Sequence, residues 1–103
     1  MRRFDELELP TQPDVTAGTP LSSGRKGFAG AIVSVRPEYA SGGLEPAEIE
    51  RRLVEMGFVE GAPVAIVQEG LFGHDPIAVK VADRTVALRR REARAVLVRA
   101  TEP

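Results

Sequence analysis

The sequence predicts a small, mainly β domain: a closed or nearly closed barrel of about five short strands with one amphipathic helix packed across it. Three observations carry this prediction. Short runs that alternate apolar and polar residues recur through the chain, as half-buried strands require. Glycines and Asp-Pro or Asp-Arg pairs punctuate those runs at turn spacing. One segment, residues 44–64, abandons the alternation and takes up helical spacing. A helix this short, with one apolar face, is not stable alone in water, so that face must cover the strands.

The helix is justified residue by residue. Pro46 suits the first helical position, where its missing N–H is not needed. Glu45, Glu48 and Glu50 place negative charge at the positive end of the helix dipole, and Glu48 stands four residues before Arg52, the spacing of a surface ion pair. Ile49, Leu53 and Met56 form one apolar stripe. Gly57 ends the helix because it takes the left-handed conformation at little cost, and Phe58 is expected to fold back on Leu53.

The strands follow in order. Residues 28–36 form the first, with Ala31, Val33 and Val35 alternating with Ile32, Ser34 and Arg36. Pro37 stops it, and residues 38–43, with Ser41, Gly42 and Gly43, link it to the helix. After the Glu60-Gly61 turn, Pro63 opens the second strand, with Val64 and Ile66 on one side and Ala65 and Val67 on the other. Residues 70–76 read as a glycine-punctuated surface loop. Residues 77–82 and 85–89 are the third and fourth strands, joined at Asp83-Arg84, with Ile77, Val79, Val81, Val86 and Leu88 inward. Residues 90–93 suit a single 3₁₀ turn. Residues 95–99 are the last strand, expected to pair with the first and so remove an exposed edge. The domain thus covers residues 28–103. Residues 1–27, with Pro10, Pro13, Pro20, Gly18, Gly24 and Gly27, read as a flexible leader whose Phe4, Leu7 and Leu9 are free to dock on the domain or on a second copy.

Composition bounds the function. A length of 103 residues suits one domain with a modest core. The absence of cysteine excludes disulfides, thiol catalysis, iron–sulfur ligation and cysteine zinc sites. No apolar run reaches the length of a membrane span, and the first ten residues lack the apolar core of a secretion signal, so a soluble, cytoplasmic protein is expected. The net charge of −1 hides an asymmetry. Residues 37–79 hold eight acidic side chains against Arg51 and Arg52, and residues 80–103 hold seven basic ones against Asp83, Glu92 and Glu102. The plain meaning is two solvated faces; the sharper one is a basic docking face for an acidic or phosphate-bearing partner.

No catalytic constellation is present. His74 is the sole histidine, and with no Cys or second His beside it a transition-metal site lacks ligands. The glutamates fall at helical surface positions rather than as a paired acid and base. Gly70 and Gly73 have no lysine and no helix after them, so they make no phosphate loop. Arg89, Arg90, Arg91 and Arg94 offer charge to a nucleic acid, but few aromatic residues accompany them. Leu71 and Phe72 stand between glycines on a surface connection, where binding function is commonly placed. No catalytic residue, cofactor or metal site is assigned.

Three stretches, in consistent order between residues 28 and 99, resemble the FeoA family. They are Arg51 to Gly61 (RRLVEMGFVEG), Phe72 to Ile77 (FGHDPI), and Val86 to Ala93 (VALRRREA) before a valine strand. Glu60 stands where that family often has proline, and His74 is an extra residue between the glycine and the aspartate of its loop. The resemblance implies an SH3-like barrel and a small cytoplasmic accessory protein of bacterial ferrous iron uptake, not an enzyme. Its implied partner is the FeoB-type membrane transporter, through the transporter's cytoplasmic domain. The contact residues it implies are Leu71, Phe72, Gly73, His74 and Asp75, with Gly57, Phe58 and Gly61 at the helix-end turn. Two other classes compete. One is the SH3-like regulatory module of DtxR-type metal-dependent repressors, which is expected beside a DNA-binding domain, and none is read in these 103 residues. The other is a nucleic-acid-binding barrel using residues 84–94.

Overall fold

A computed structural model describes residues 18–40 and 42–101 of the chain. Six antiparallel strands make one sheet: β1 (Thr19–Pro20), β2 (Ala29–Val35), β3 (Pro63–Phe72), β4 (Asp75–Val81), β5 (Arg84–Leu88) and β6 (Val96–Ala100). Their order is β1-β6-β2-β3-β4-β5. The last strand pairs with the first long one, as expected: Ala31 faces Arg99 and Ile32 faces Val98. The sheet itself is not closed; β1 and β5 remain its edges.

Two helices complete the fold. α1 (Pro46–Met56) has the expected stripe, with Ile49 and Leu53 buried and Met56 packed against the core. It ends at Gly57, whose φ is 106°, with the Gly57 N–H donating to the Val54 carbonyl at 3.0 Å and the Phe58 N–H to the Leu53 carbonyl at 2.9 Å. That pair of bonds is the helix stop the glycine signalled. Phe58 is 0 % exposed and sits in the main core with Leu53, Val64, Ile77, Val79, Val81, Leu88, Val96 and Val98. Arg51, rather than Arg52, makes the surface pairs of this helix, with Glu48 and with Glu55 at 2.9 Å. Arg52 instead reaches Glu92, 3.8 Å away. Residues 90–93, expected as a 3₁₀ turn, form a single α-helical turn, α2 (Arg90–Ala93), opened by the Arg89 N–H donating to the Glu92 carboxylate at 3.1 Å.

Three further departures from the sequence reading have physical causes. Residues 18–27 belong to the domain and not to a leader. β1 pairs with β6, Thr19 opposite Val98, and the 3₁₀ turn Leu21–Ser23 buries Leu21 completely. The buried Leu21, the pairing with β6 and the bonds from Arg90 and Glu69 together seat a segment otherwise rich in Gly, Ser and Pro. Residues 1–17, the remainder of the expected leader, lie outside the described residues. The expected loop at residues 70–76 is instead the end of a long hairpin. β3 runs on to Phe72 and β4 begins at Asp75, leaving a two-residue turn of Gly73 and His74 with φ of 71° and 61°. Such positive values at both positions match the twist of the flanking strands. His74 is therefore the second residue of a tight turn. Lastly, β2 carries a bulge at Val33, and β3 carries one at Val67 and another between Glu69 and Phe72, each where one extra residue breaks the register with β6 or β4. The bulge shifts the phase of β2, so that Ile32 and Val35 both meet the core although simple alternation puts them on opposite faces.

Candidate functional site

The β3–β4 hairpin carries the most exposed apolar side chains among the described residues. Leu71 is 93 % exposed and Phe72 is 88 % exposed. They sit beside the Gly73-His74 turn, with Phe72 paired to Asp75 across it. Isolated exposed apolar residues are ordinary, but two large adjacent ones at a hairpin end form an anchor shape.

The base of this tip is fastened by charge. Glu69 is the centre: its side chain is only 13 % exposed. Its Oε2 accepts from the Lys26 backbone N–H at 2.7 Å and from Arg25 Nε at 3.1 Å, and its Oε1 lies 2.8 Å from His74 Nδ1. The Lys26 amide, then the Arg25 guanidinium and the His74 ring, hold this carboxyl below its ordinary range, and partial burial opposes them. Arg90 closes the other side. Its Nε donates to the His74 carbonyl at 2.8 Å, its Nη1 to the Ser22 and Gly24 carbonyls at 2.8 Å each, and its backbone N–H to Asp75 Oδ1 at 2.9 Å. Its Nη2 is buried 3.5 Å from Glu69 Oε2, an ion pair without a hydrogen bond. Gly70 adds a steric condition: a Cβ there would collide with the Asp75 carbonyl group, so the two strands approach only because β3 has no side chain at that point.

The residues singled out in the sequence divide into two places. Leu71, Phe72, Gly73, His74 and Asp75 do come together, at the hairpin end. Gly57, Phe58 and Gly61 do not join them, because the Gly57–Gly61 turn precedes β3 and the tip ends it, roughly 30 Å apart at the usual strand rise. Phe58 is corrected as a contact residue: its ring fills the core and offers nothing to a partner. Gly61 is exposed, and its N–H is engaged with the Ile32 carbonyl at 2.8 Å. Sequence reasoning missed Glu69, Arg25 and Arg90 as supports of the tip. Arg90 reads in sequence as one of four surface arginines, and no local signal separates it from Arg89, Arg91 or Arg94. Arg84, also in the basic stretch, donates to the Glu55 carbonyl at 2.9 Å. The basic stretch is thus partly structural. Among the described residues no group of three or more His, Cys, Asp or Glu side chains gathers to hold a metal ion.

One antiparallel sheet around a single core, a helix packed on it and a projecting hairpin define a small SH3-like domain. Comparison with known proteins places it further. The FeoA domain family matches residues 19–100, and the chain belongs to that family. The solution structure of iron(II) transport protein A from Clostridium thermocellum is 34 % identical with a TM-score of 0.64; the match covers 80 % of this chain and 45 % of that one, so this chain spans less than half of that relative's length. FeoA of Stenotrophomonas maltophilia, solved with zinc, is 33 % identical with a TM-score of 0.64, over 80 % of this chain and 91 % of that one. It is described as a prokaryotic SH3 domain protein and a candidate activating factor of bacterial ferrous iron transport. A manganese-dependent transcriptional repressor shares the fold alone, at 20 % identity and a TM-score of 0.65 over 91 % of this chain and 45 % of that one. No protein of curated function matches the chain.

Proposed function

We propose that this chain is a non-catalytic, cytoplasmic accessory protein of bacterial ferrous iron uptake, and that it acts by seating Leu71 and Phe72 on the cytoplasmic domain of a FeoB-type membrane transporter. The observation that carries the reading is the tip itself: two adjacent large apolar side chains at 93 % and 88 % exposure on a hairpin whose base is held by ion pairs. An apolar anchor inside a polar rim is how partner interfaces concentrate their binding energy. Family membership supplies the process, and the description of the Stenotrophomonas maltophilia relative agrees with an activating role. Among the described residues no helix is long and apolar enough to cross a membrane, which suits a protein that reaches the bilayer through its partner.

The alternatives draw less support. The repressor likeness is one of fold, and the nucleic-acid reading loses Arg84 and Arg90 to bonds within the domain. Calorimetric titration of the chain with the transporter's soluble cytoplasmic domain tests the proposal. Saturable binding that Phe72→Ala weakens supports it; binding left unchanged by Phe72→Ala and Leu71→Ala together removes the hairpin tip from the interface.

A further inference from the structure

Arg90 is the residue whose bonds the docking surface alone does not explain. It lies on α2, sixteen residues after His74 and far in sequence from Ser22, yet one side chain joins three elements. The guanidinium donates to the turn of the hairpin through His74, and to the 3₁₀ turn and the residue that closes it through Ser22 and Gly24. Its own backbone N–H holds the Asp75 carboxylate at the start of β4. Glu69 answers from β3, gripping Lys26 and Arg25 just after that 3₁₀ turn. A planar fork of fixed donors can satisfy carbonyls on two sides at once; a lysine, with one nitrogen on a flexible stem, cannot span them.

The hairpin has few other restraints toward its end. β3 leaves β2 after Ala65, but β4 stays paired with β5 as far as Ile77 opposite Leu88, so within the sheet only residues 70–76 pair with nothing but each other. A two-stranded ribbon on its own is marginal in water and free to bend and twist. The angle of residues 70–76 to the body is therefore set by what ties their sides down, and those ties are the bonds made by Arg90 and Glu69.

We propose that Arg90 and Glu69 are positioning residues for the docking tip: together they lock the end of the hairpin to residues 22–26, so that Leu71 and Phe72 are presented in one fixed stance. This rests on the reading that the tip is the contact surface. A tip already held in its bound stance loses less freedom on association, and affinity follows that preorganisation.

The test uses the full chain and two readings that fail separately. Amide residual dipolar couplings report whether residues 70–76 move as one body with the core strands. Wild type is expected to fit a single rigid frame. Arg90→Ala and Arg90→Lys are expected to keep the core couplings while those of the hairpin shrink or require a second frame. A merely structural loss would disturb core and hairpin alike. Affinity for the transporter's cytoplasmic domain is expected to fall about tenfold in both variants, the scale of one or two side chains that must be ordered on association, with Leu71 and Phe72 intact. Glu69→Gln, which keeps the size of the side chain but removes its charge, serves where Arg90→Ala does not fold, and is expected to act in the same direction. Hairpin couplings that still fit the core frame in Arg90→Lys and Glu69→Gln overturn the inference, and so does loosening of the hairpin with affinity unchanged while Phe72→Ala weakens binding. If Phe72→Ala leaves binding unchanged, the contact surface has been misassigned, and the couplings still decide whether Arg90 and Glu69 hold the hairpin.

Discussion

Two phenylalanines, fourteen residues apart, should respond to the same substitution in opposite ways. Phe58→Ala empties a site that is 0 % exposed. Loss of a buried aromatic ring costs about 3–5 kcal/mol. For a domain of this size that lowers Tm by about 15 °C or more. Phe72 is 88 % exposed, so only about 25 Å² of the roughly 200 Å² a phenylalanine can bury is now covered. At about 25 cal/mol per Å², Phe72→Ala should cost at most about 0.6 kcal/mol, and Tm should move by less than about 5 °C. The order reverses for binding. A ring seated at the centre of an interface is worth about 2 kcal/mol or more, which is roughly thirtyfold in Kd. Thermal unfolding followed by circular dichroism measures the first effect, and calorimetry against the transporter's cytoplasmic domain the second. The reasoning is refuted if Phe72→Ala destabilises as much as Phe58→Ala, or if it leaves Kd within a factor of two.

Other consequences concern the segments that support the tip. Leu21→Ala should cost about 2–5 kcal/mol, because Leu21 is completely buried, and chemical denaturation would show it as a lower midpoint. A negligible change would return residues 18–27 to the role of a leader. Gly70→Ala should destabilise the hairpin by about 1–3 kcal/mol, since the new Cβ meets the backbone of Asp75 and not a side chain that can move aside; hydrogen exchange of β3 and β4 amides reads this directly. Glu69 makes the tip acid-sensitive. Its folded pKa is depressed, so the stability it contributes is complete above its unfolded pKa and is lost as pH falls through the lower folded value. The Lys26 amide resonance should report that transition, and Glu69→Gln should abolish it; an acid titration of that amide identical in wild type and variant would remove Glu69 as its cause.

Much of the fold was legible because its signals are local. The stripe of Ile49, Leu53 and Met56, the stop at Gly57 and the alternating valines of β4 and β6 each need only a few neighbours to be read. The site was legible only in part. Leu71 and Phe72 between glycines mark a surface position, but residues 70–76 look like a loop because Gly70, Gly73 and the closing Asp75-Pro76 mask the continuation of the strands. Phe58 is ambiguous in sequence for the converse reason: a residue just past a helix stop faces solvent or core according to what packs there, and here α1 and the sheet close over it.

The sequence alone determined the order of elements from β2 onward and the face of α1 that is buried, because periodicity and turn chemistry are written in adjacent residues. The family rested on the resemblance of three stretches, and the matching family model bears it out. The tertiary structure alone decided which charges are structural and which are free. Glu69, Arg25 and Arg90 come from positions 69, 25 and 90, and nothing local to any of them announces the others. Ion pairs form between residues brought near in space, and only the folded sheet brings these three to one end of the hairpin.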